Sequence, residues 1–223
     1  MSNLVIFDLD YTLTKQGTWG RFVIKAVKNR PHIWLPLLAS AAIMQWRYKR
    51  GHVERIRVKQ KMMKWAFPNW PKDRVEELAK DFARKELQMG LRPGAIRALK
   101  KHRERGDTLM IASAAVDVIV KPIAEGLDIQ HWVATDMKWK EGYLQNEFAS
   151  SNCYGEEKLN RVKRYLDENP LLKQTHTNIT MYSDSYSDLA IMQFVDVGVA
   201  VNPDKRLVSL SKKHNFEIVD WLT

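Results

Sequence analysis

Only one cysteine, Cys153, occurs in the 223 residues. A lone thiol excludes an intramolecular disulfide framework and a thiolate zinc cluster, so a reducing compartment is the expectation. Long apolar runs are missing as well: residues 33–46 form a nearly uncharged stretch, but a spanning helix needs about 20 residues. Met1-Ser2-Asn3 leads directly into an apolar pattern, with neither a basic n-region nor a small-residue cleavage site. No secretory signal is therefore expected, and the reading is cytoplasmic. Internal repeats and low-complexity linkers are absent. Acids are absent from one long interval, since none stands between Asp10 and Glu54.

What is present is unevenly placed. The net charge is +10, yet residues 15–64 alone carry thirteen Lys and Arg against one acid, which gives +12. The remainder is slightly acidic. Five of the eight tryptophans (Trp19, Trp34, Trp46, Trp65 and Trp70) lie in or just beyond the same segment. A hydrophobic content of 45% allows a substantial core and excludes a disordered chain.

The apolar run Leu4 to Phe7 ends in carboxylates, the pattern of a buried central strand in a parallel sheet. From Thr18 to about Glu86 the pattern is helical, with breaks at Arg30-Pro31, Arg50-Gly51 and Pro68-Asn69-Trp70-Pro71 that predict four helices. Beyond Pro93-Gly94 strands and helices alternate. Strands are predicted at 108–112, 132–135, 178–182, 197–201 and 217–219, and a hairpin around Glu141-Gly142. The fold class is α/β, with a mainly parallel Rossmann-like sheet. Residues 1–14 and 87–223 form its core, and residues 15–86 are an inserted, all-helical cap.

Four pieces of sequence fall at the carboxyl ends of predicted strands, where open parallel sheets place their ligand crevice. In Asp8-Leu9-Asp10-Tyr11-Thr12, one carboxylate can attack phosphorus while the other protonates the leaving oxygen and later activates water. Ser113 follows the strand at 108–112, where its hydroxyl and the neighbouring amide of Ala114 can donate to a phosphoryl oxygen. Lys158, early in a helix, can neutralise charge shared by phosphate and a carboxylate. Asp184 and Asp188, four apart after a strand, suit a hard cation such as Mg²⁺ together with Asp8. Singly, each piece is commonplace: a solvated turn acid, an N-cap serine, a surface lysine, an Asx-type helix start. Their joint order is what discriminates.

That order resembles the haloacid dehalogenase superfamily, and the helical insertion resembles its C1 type. The resemblance implies that Asp8 is the nucleophile and a metal ligand. It implies Asp10 as general acid/base and as a ligand through its carbonyl. It gives Thr12 and Ser113 the task of holding the first loop and the phosphoryl group, Lys158 that of the motif-three lysine, and Asp184 and Asp188 that of placing Mg²⁺. A phosphate dianion would be repelled by these acids unless Mg²⁺ and Lys158 offset them, so the cation is expected to be obligatory.

Phosphoserine phosphatases resemble this core, but they place a glutamate in the cap shortly after the nucleophile motif. Here Lys15, Trp19, Arg21 and Phe22 stand instead, which favours a more anionic or apolar substrate, with Trp19 and Arg21 as substrate contacts. Residues 33–46, flanked by Lys25, Lys28 and Arg30 and by Arg47, Lys49 and Arg50, have the composition expected at an anionic lipid surface. Together with Trp19-Gly20-Arg21-Phe22 this basic-flanked apolar hairpin resembles bacterial phosphatidylglycerophosphatases of the C type. The implied substrate is a lipid-borne phosphate monoester, met by a peripheral enzyme on the inner membrane face. Two other readings are a soluble small-molecule phosphatase of the phosphoserine-phosphatase-like kind and a basic nucleic-acid-binding protein. The last leaves the acid, serine and lysine set without a use, and nucleic acid is not favoured.

Overall fold

The computed structural model describes residues 2–222, excluding the side chains of 173–175. Strand β1 (Ser2–Phe7) is followed by helices α1 (Thr18–Val27), α2 (Pro31–Lys49), α3 (Arg55–Ala66), α4 (Lys72–Lys85) and α5 (Pro93–Glu104). Then come β2 (Thr108–Val116), α6 (Asp117–Gly126), β3 (His131–Thr135) and the hairpin strands β4 (Met137–Lys140) and β5 (Tyr143–Phe148). The chain finishes with α7 (Glu156–Glu168), α8 (Pro170–Thr175), β6 (His176–Ser183), α9 (Leu189–Phe194), β7 (Val197–Val201), α10 (Lys205–His214) and β8 (Glu217–Val219).

The main sheet has six parallel strands in the order β3-β2-β1-β6-β7-β8. This is the expected α/β class. Leu4, Val5, Ile6 and Phe7 are all buried, because β1 has a strand on each side and helices on both faces. That environment explains a continuous apolar run rather than an alternating one. The chain runs outward from β1 to β2 and β3 on one side and returns to β6, β7 and β8 on the other. The crevice beyond the carboxyl end of β1 is therefore the topological switch point.

The four predicted helices form between β1 and α5, broken where Arg30-Pro31, Arg50-Gly51 and Pro68 to Pro71 stand. Trp19, Phe22, Val23, Ala26 and Val27 line the buried face of α1 at helical spacing. Phe22 stacks on Phe67 at 5.4 Å and meets Phe82 edge-on at 5.6 Å. The hydrophobic cluster is continuous from these rings through α6 to β1 and β2.

The insertion leaves and rejoins the core at one place. Thr14 pairs with Leu91 in an antiparallel bridge, Lys15 donates its amide to the Gly90 carbonyl at 2.8 Å, and Arg92 donates to Leu13 at 2.9 Å.

Several sequence expectations need correction. Strand β2 extends to Val116, four residues beyond the predicted end, with a register shift against β3 between Ala112 and Val116. Ser113 thus lies within a bulged strand, not after it, and caps no helix. Helix α8 is an element that the sequence pattern does not announce. Residues 33–46 lie within one helix, α2, which packs against the basic α3. The hairpin is apolar in one arm only. Only Ile33 and Leu37 of α2 are buried, while Leu35, Leu38, Ile43 and Trp46 are exposed, Leu35 to 79%.

Candidate active site

Asp8 follows the last residue of β1, and its amide donates to the Tyr182 carbonyl at the end of β6 (2.9 Å). The parallel pairing of β1 with β6 thereby fixes the acid beside Ser183 and Asp184. Asp8 is 6% exposed. Its Oδ1 accepts a hydrogen bond from Lys158 Nζ at 2.8 Å, and Lys158 also donates to Asp188 Oδ2 at 2.7 Å. Ser183 Oγ donates to the same Asp188 oxygen at 2.7 Å.

Lys158 reaches this position from the first turn of α7. The helix starts at Gly155, whose φ of +62° with ψ of −133° is open to glycine and strained for other residues. This turn directs an otherwise solvent-seeking side chain inward, to 2% exposure.

Thr12 ties the first and last pieces together. Its Oγ1 accepts from the Asp184 amide at 3.0 Å and stands 3.2 Å from Asp184 Oδ1 and 3.4 Å from Asp8 Oδ2. One hydroxyl proton serves one of those carboxylates at a time. Asp10 lies in the wide turn Leu9–Leu13, and its Oδ1 accepts from the amide of Thr18, the first residue of α1, at 2.8 Å. Ser113 is buried, and its Oγ accepts from the Ala115 amide at 3.1 Å.

The electrostatics follow from packing three acids, Asp8, Asp184 and Asp188, around one lysine. Burial, only partly offset by Lys158 and reinforced by Asp188 and Asp184, pushes the Asp8 carboxyl up to about 8. Burial likewise lifts Asp184 to about 6, against the Thr12 hydrogen bond. Asp10 is raised by burial, opposed by Thr18, Lys59 and Arg55. Burial alone would lower Lys158, but Asp188 and Asp8 override it and hold the ammonium above the usual lysine range.

The carboxylates fit a hard cation in chemistry. Asp188 Oδ1 is buried without a hydrogen-bond partner, and the acids raise one another's affinity for protons, which marks an unfilled need for positive charge. Among the described residues no three His, Cys, Asp or Glu side chains are grouped closely enough to hold an ion together. Lys158 stands between Asp8 and Asp188.

A cavity of about 510 Å³ joins these groups to the helical insertion. Asp8, Asp10, Ser113, Ala114, Lys158, Asp184 and Asp188 line it, as do Trp19 and Arg21. Thr12 lies beneath, fully buried. Trp19 also packs against Phe22, Phe67 and Phe148. Both terminal nitrogens of Arg21 bond to the buried Glu86, so its charge already has a partner 65 positions away.

Lys59, Arg55, Gln45 and Tyr154 line the cavity too, and sequence reasoning missed them. The signal available for Arg55 and Lys59 was helical spacing, since Arg55, Val58, Lys59 and Met62 share one face of α3 and all reach the cavity.

A family model described as haloacid dehalogenase-like hydrolase matches residues 5–193. The histidinol-phosphatase of Neisseria meningitidis serogroup C (strain 8013) is 22% identical over 99% of this chain and all of its own. A solved structure of a protein of unknown function from Bordetella pertussis Tohama I superposes with a TM-score of 0.86 at 21% identity, covering 99% of this chain and 100% of the other. A phospho-aspartyl intermediate analogue of phosphoserine phosphatase gives a TM-score of 0.65 at 17% identity, covering 100% of this chain and 94% of its own.

Proposed function

Because this chain belongs to the haloacid dehalogenase-like hydrolases and is a phosphatase, we propose that it hydrolyses a phosphate monoester through a covalent phosphate on Asp8. The observation that carries this reading is the buried Asp8 held by Lys158 at the mouth of the central strand, facing the cavity. An Asp8 carboxylate oxygen attacks phosphorus in line as the bond to the alcohol oxygen breaks, and Asp10 donates a proton to that oxygen. Burial raises the affinity of Asp10 for its proton, the direction that suits a proton donor. Asp10 then takes a proton from the water that attacks phosphorus, and inorganic phosphate leaves. Ser113 Oγ and the amide of Ala114 offer donors to the phosphoryl oxygens.

Mg²⁺ is the proposed cofactor, held by Asp8, the Asp10 carbonyl, Asp184 and Asp188; when bound it supplies positive charge to the phosphoryl oxygens. Residues 15–86 act as the cap. Asp8→Asn is expected to lower kcat by about 10⁴-fold or more while the circular dichroism spectrum is unchanged. Full activity in this variant would sink the assignment.

For the substrate we propose a lipid-borne phosphate, reached at an anionic membrane surface by a peripheral, cytoplasmic enzyme; the phosphate of phosphatidylglycerophosphate is the leading candidate. Support comes from α2, which exposes Leu35, Leu38, Ile43 and Trp46 between basic flanks and also contributes Gln45 to the cavity. The docking face and the cavity thus share a helix. No helix among the described residues is long and apolar enough to cross a membrane. Flotation with vesicles containing anionic lipid is expected to carry the protein upward. A Leu38→Glu/Ile43→Glu variant should stay at the bottom, and equal flotation of both would refute the docking face. A second reading, a soluble small-molecule monoester, is favoured by the full-length relative named histidinol-phosphatase. Rapid turnover of a soluble monoester with no activity on lipid phosphates would select it.

A further inference from the structure

Lys59 is a buried lysine that makes no ion pair among the described residues. It is 7% exposed, and Nζ donates to the Ala114 carbonyl and, at 2.7 Å, to Asn152 Oδ1. Both partners are neutral oxygens. An ammonium carries three protons, so one remains beyond these two bonds, and the side chain lines the active-site cavity. The contrast with Lys158, also buried but bonded to two carboxylates, is direct. A buried charge is ordinarily compensated by an opposite one, because its desolvation is otherwise left uncovered.

The position of Lys59 indicates which part of a substrate would supply that charge. Lys59 and Asp10, the proposed proton donor to the leaving oxygen, line the same cavity, and Lys59 enters it from α3 rather than from the strand ends that carry Asp8 and Asp184. It therefore stands on the leaving-group side. Its neighbours on the same face of α3, Val58 and Met62, add apolar lining. Burial and the nearby Arg55 draw the ammonium down to about 8, against the smaller opposing pull of Asp10.

Resting on the phosphatase reading, we propose that Lys59 is a specificity-determining residue that binds a second anionic group on the leaving alcohol. The substrate class is a phosphate monoester whose alcohol bears a further negative charge. That charge can be the phosphodiester of a lipid headgroup or the carboxylate of a soluble alcohol.

The test is steady-state kinetics of the wild type, Lys59→Met and Lys59→Arg on three monoesters. Phenyl phosphate has an uncharged leaving group, 3-phosphoglycerate a carboxylate, and phosphatidylglycerophosphate in mixed micelles a phosphodiester. The wild type should prefer at least one charged leaving group, and which one it prefers separates the lipid source from the soluble one. In Lys59→Met the ratio of kcat/KM for that substrate over phenyl phosphate should fall about 10- to 100-fold, mainly through KM. Lys59→Arg should restore most of the ratio. An unchanged ratio, with all three substrates slowed equally or none slowed, overturns the proposal. So does a wild type with no preference for a charged leaving group. If the Met variant does not fold, Lys59→Gln is read by the same ratio. Wild-type turnover of phenyl phosphate upholds the phosphatase reading whatever the ratio does, whereas a wild type inert to all three monoesters sinks both readings.

Discussion

Replacing Lys158 by Met keeps most of the side-chain volume and removes only the charge. In the native protein Lys158 lies 2.8 Å from Asp8 Oδ1 and 2.7 Å from Asp188 Oδ2, with all three side chains below 10% exposure. Breaking a buried pair in this way costs about 3–5 kcal/mol. For a chain of 223 residues the entropy of unfolding is about 0.5 kcal/mol/K, so the melting temperature should fall by about 6–10 °C. The pH dependence gives a sharper check. Without the lysine, the Asp8 carboxyl, already raised to about 8 by burial, loses the cation that lowers it and stands still higher above its unfolded value, so the native state binds more protons and the variant loses stability as pH rises. The deficit against wild type should be largest near pH 8.5 and shrink towards pH 5. Urea unfolding in EDTA at both pH values measures it. A deficit below about 1 kcal/mol, or one that is equal at the two pH values, would refute the account of Lys158 as the sole compensating charge for the two acids.

Mg²⁺ binding should release protons, because Asp8, raised to about 8, and Asp184, raised to about 6, hold protons that a cation displaces. The apparent affinity should therefore tighten from pH 6 to pH 8, by about tenfold per unit where one proton is released. Titration calorimetry in buffers of different ionisation enthalpy reads this, and a pH-independent affinity would contradict it. Gly94→Ala sets two effects against each other. Helix propensity favours Ala by about 1 kcal/mol, but the new Cβ would lie 2.4 Å from Trp221 Cγ. Overpacking of this kind costs about 1–3 kcal/mol, so thermal unfolding should show a net loss of stability, and a gain would mean that Trp221 yields freely.

Much of the candidate site was legible in the sequence because apolar strands precede the acids and the serine. Asp8, Ser113 and Asp184 lie on or just after β1, β2 and β6, whose parallel register brings them together, and Lys158 joins them from α7. Lys59 was not legible. Thirteen basic residues crowd its segment, and nothing in composition separates the one that turns inward from those facing water. Arg21 was read as a substrate contact since no acid lies near it in sequence, yet its partner Glu86 returns from the far end of α4. The end of β2 was misplaced because Ala114-Ala115-Val116 suits a helix as well as a strand, and pairing with β3 decides. The apolar run at 33–46 was legible as part of one helix from the breaks at Arg30-Pro31 and Arg50-Gly51, but which of its residues are buried and which stay exposed was not, because tertiary packing decides that.

The joined strands at Thr14 and Leu91 bear on how such a protein can diversify. Because the two ends of the excursion already meet, the sheet tolerates whatever chain runs between them, and loop length adds little entropic penalty. From the helices between β1 and α5, the Thr18 amide reaches back to hold Asp10. Changes on α2 and α3 can therefore reshape the wall of the cavity while the bonds that fix the acid-bearing turn to the sheet stay as they are.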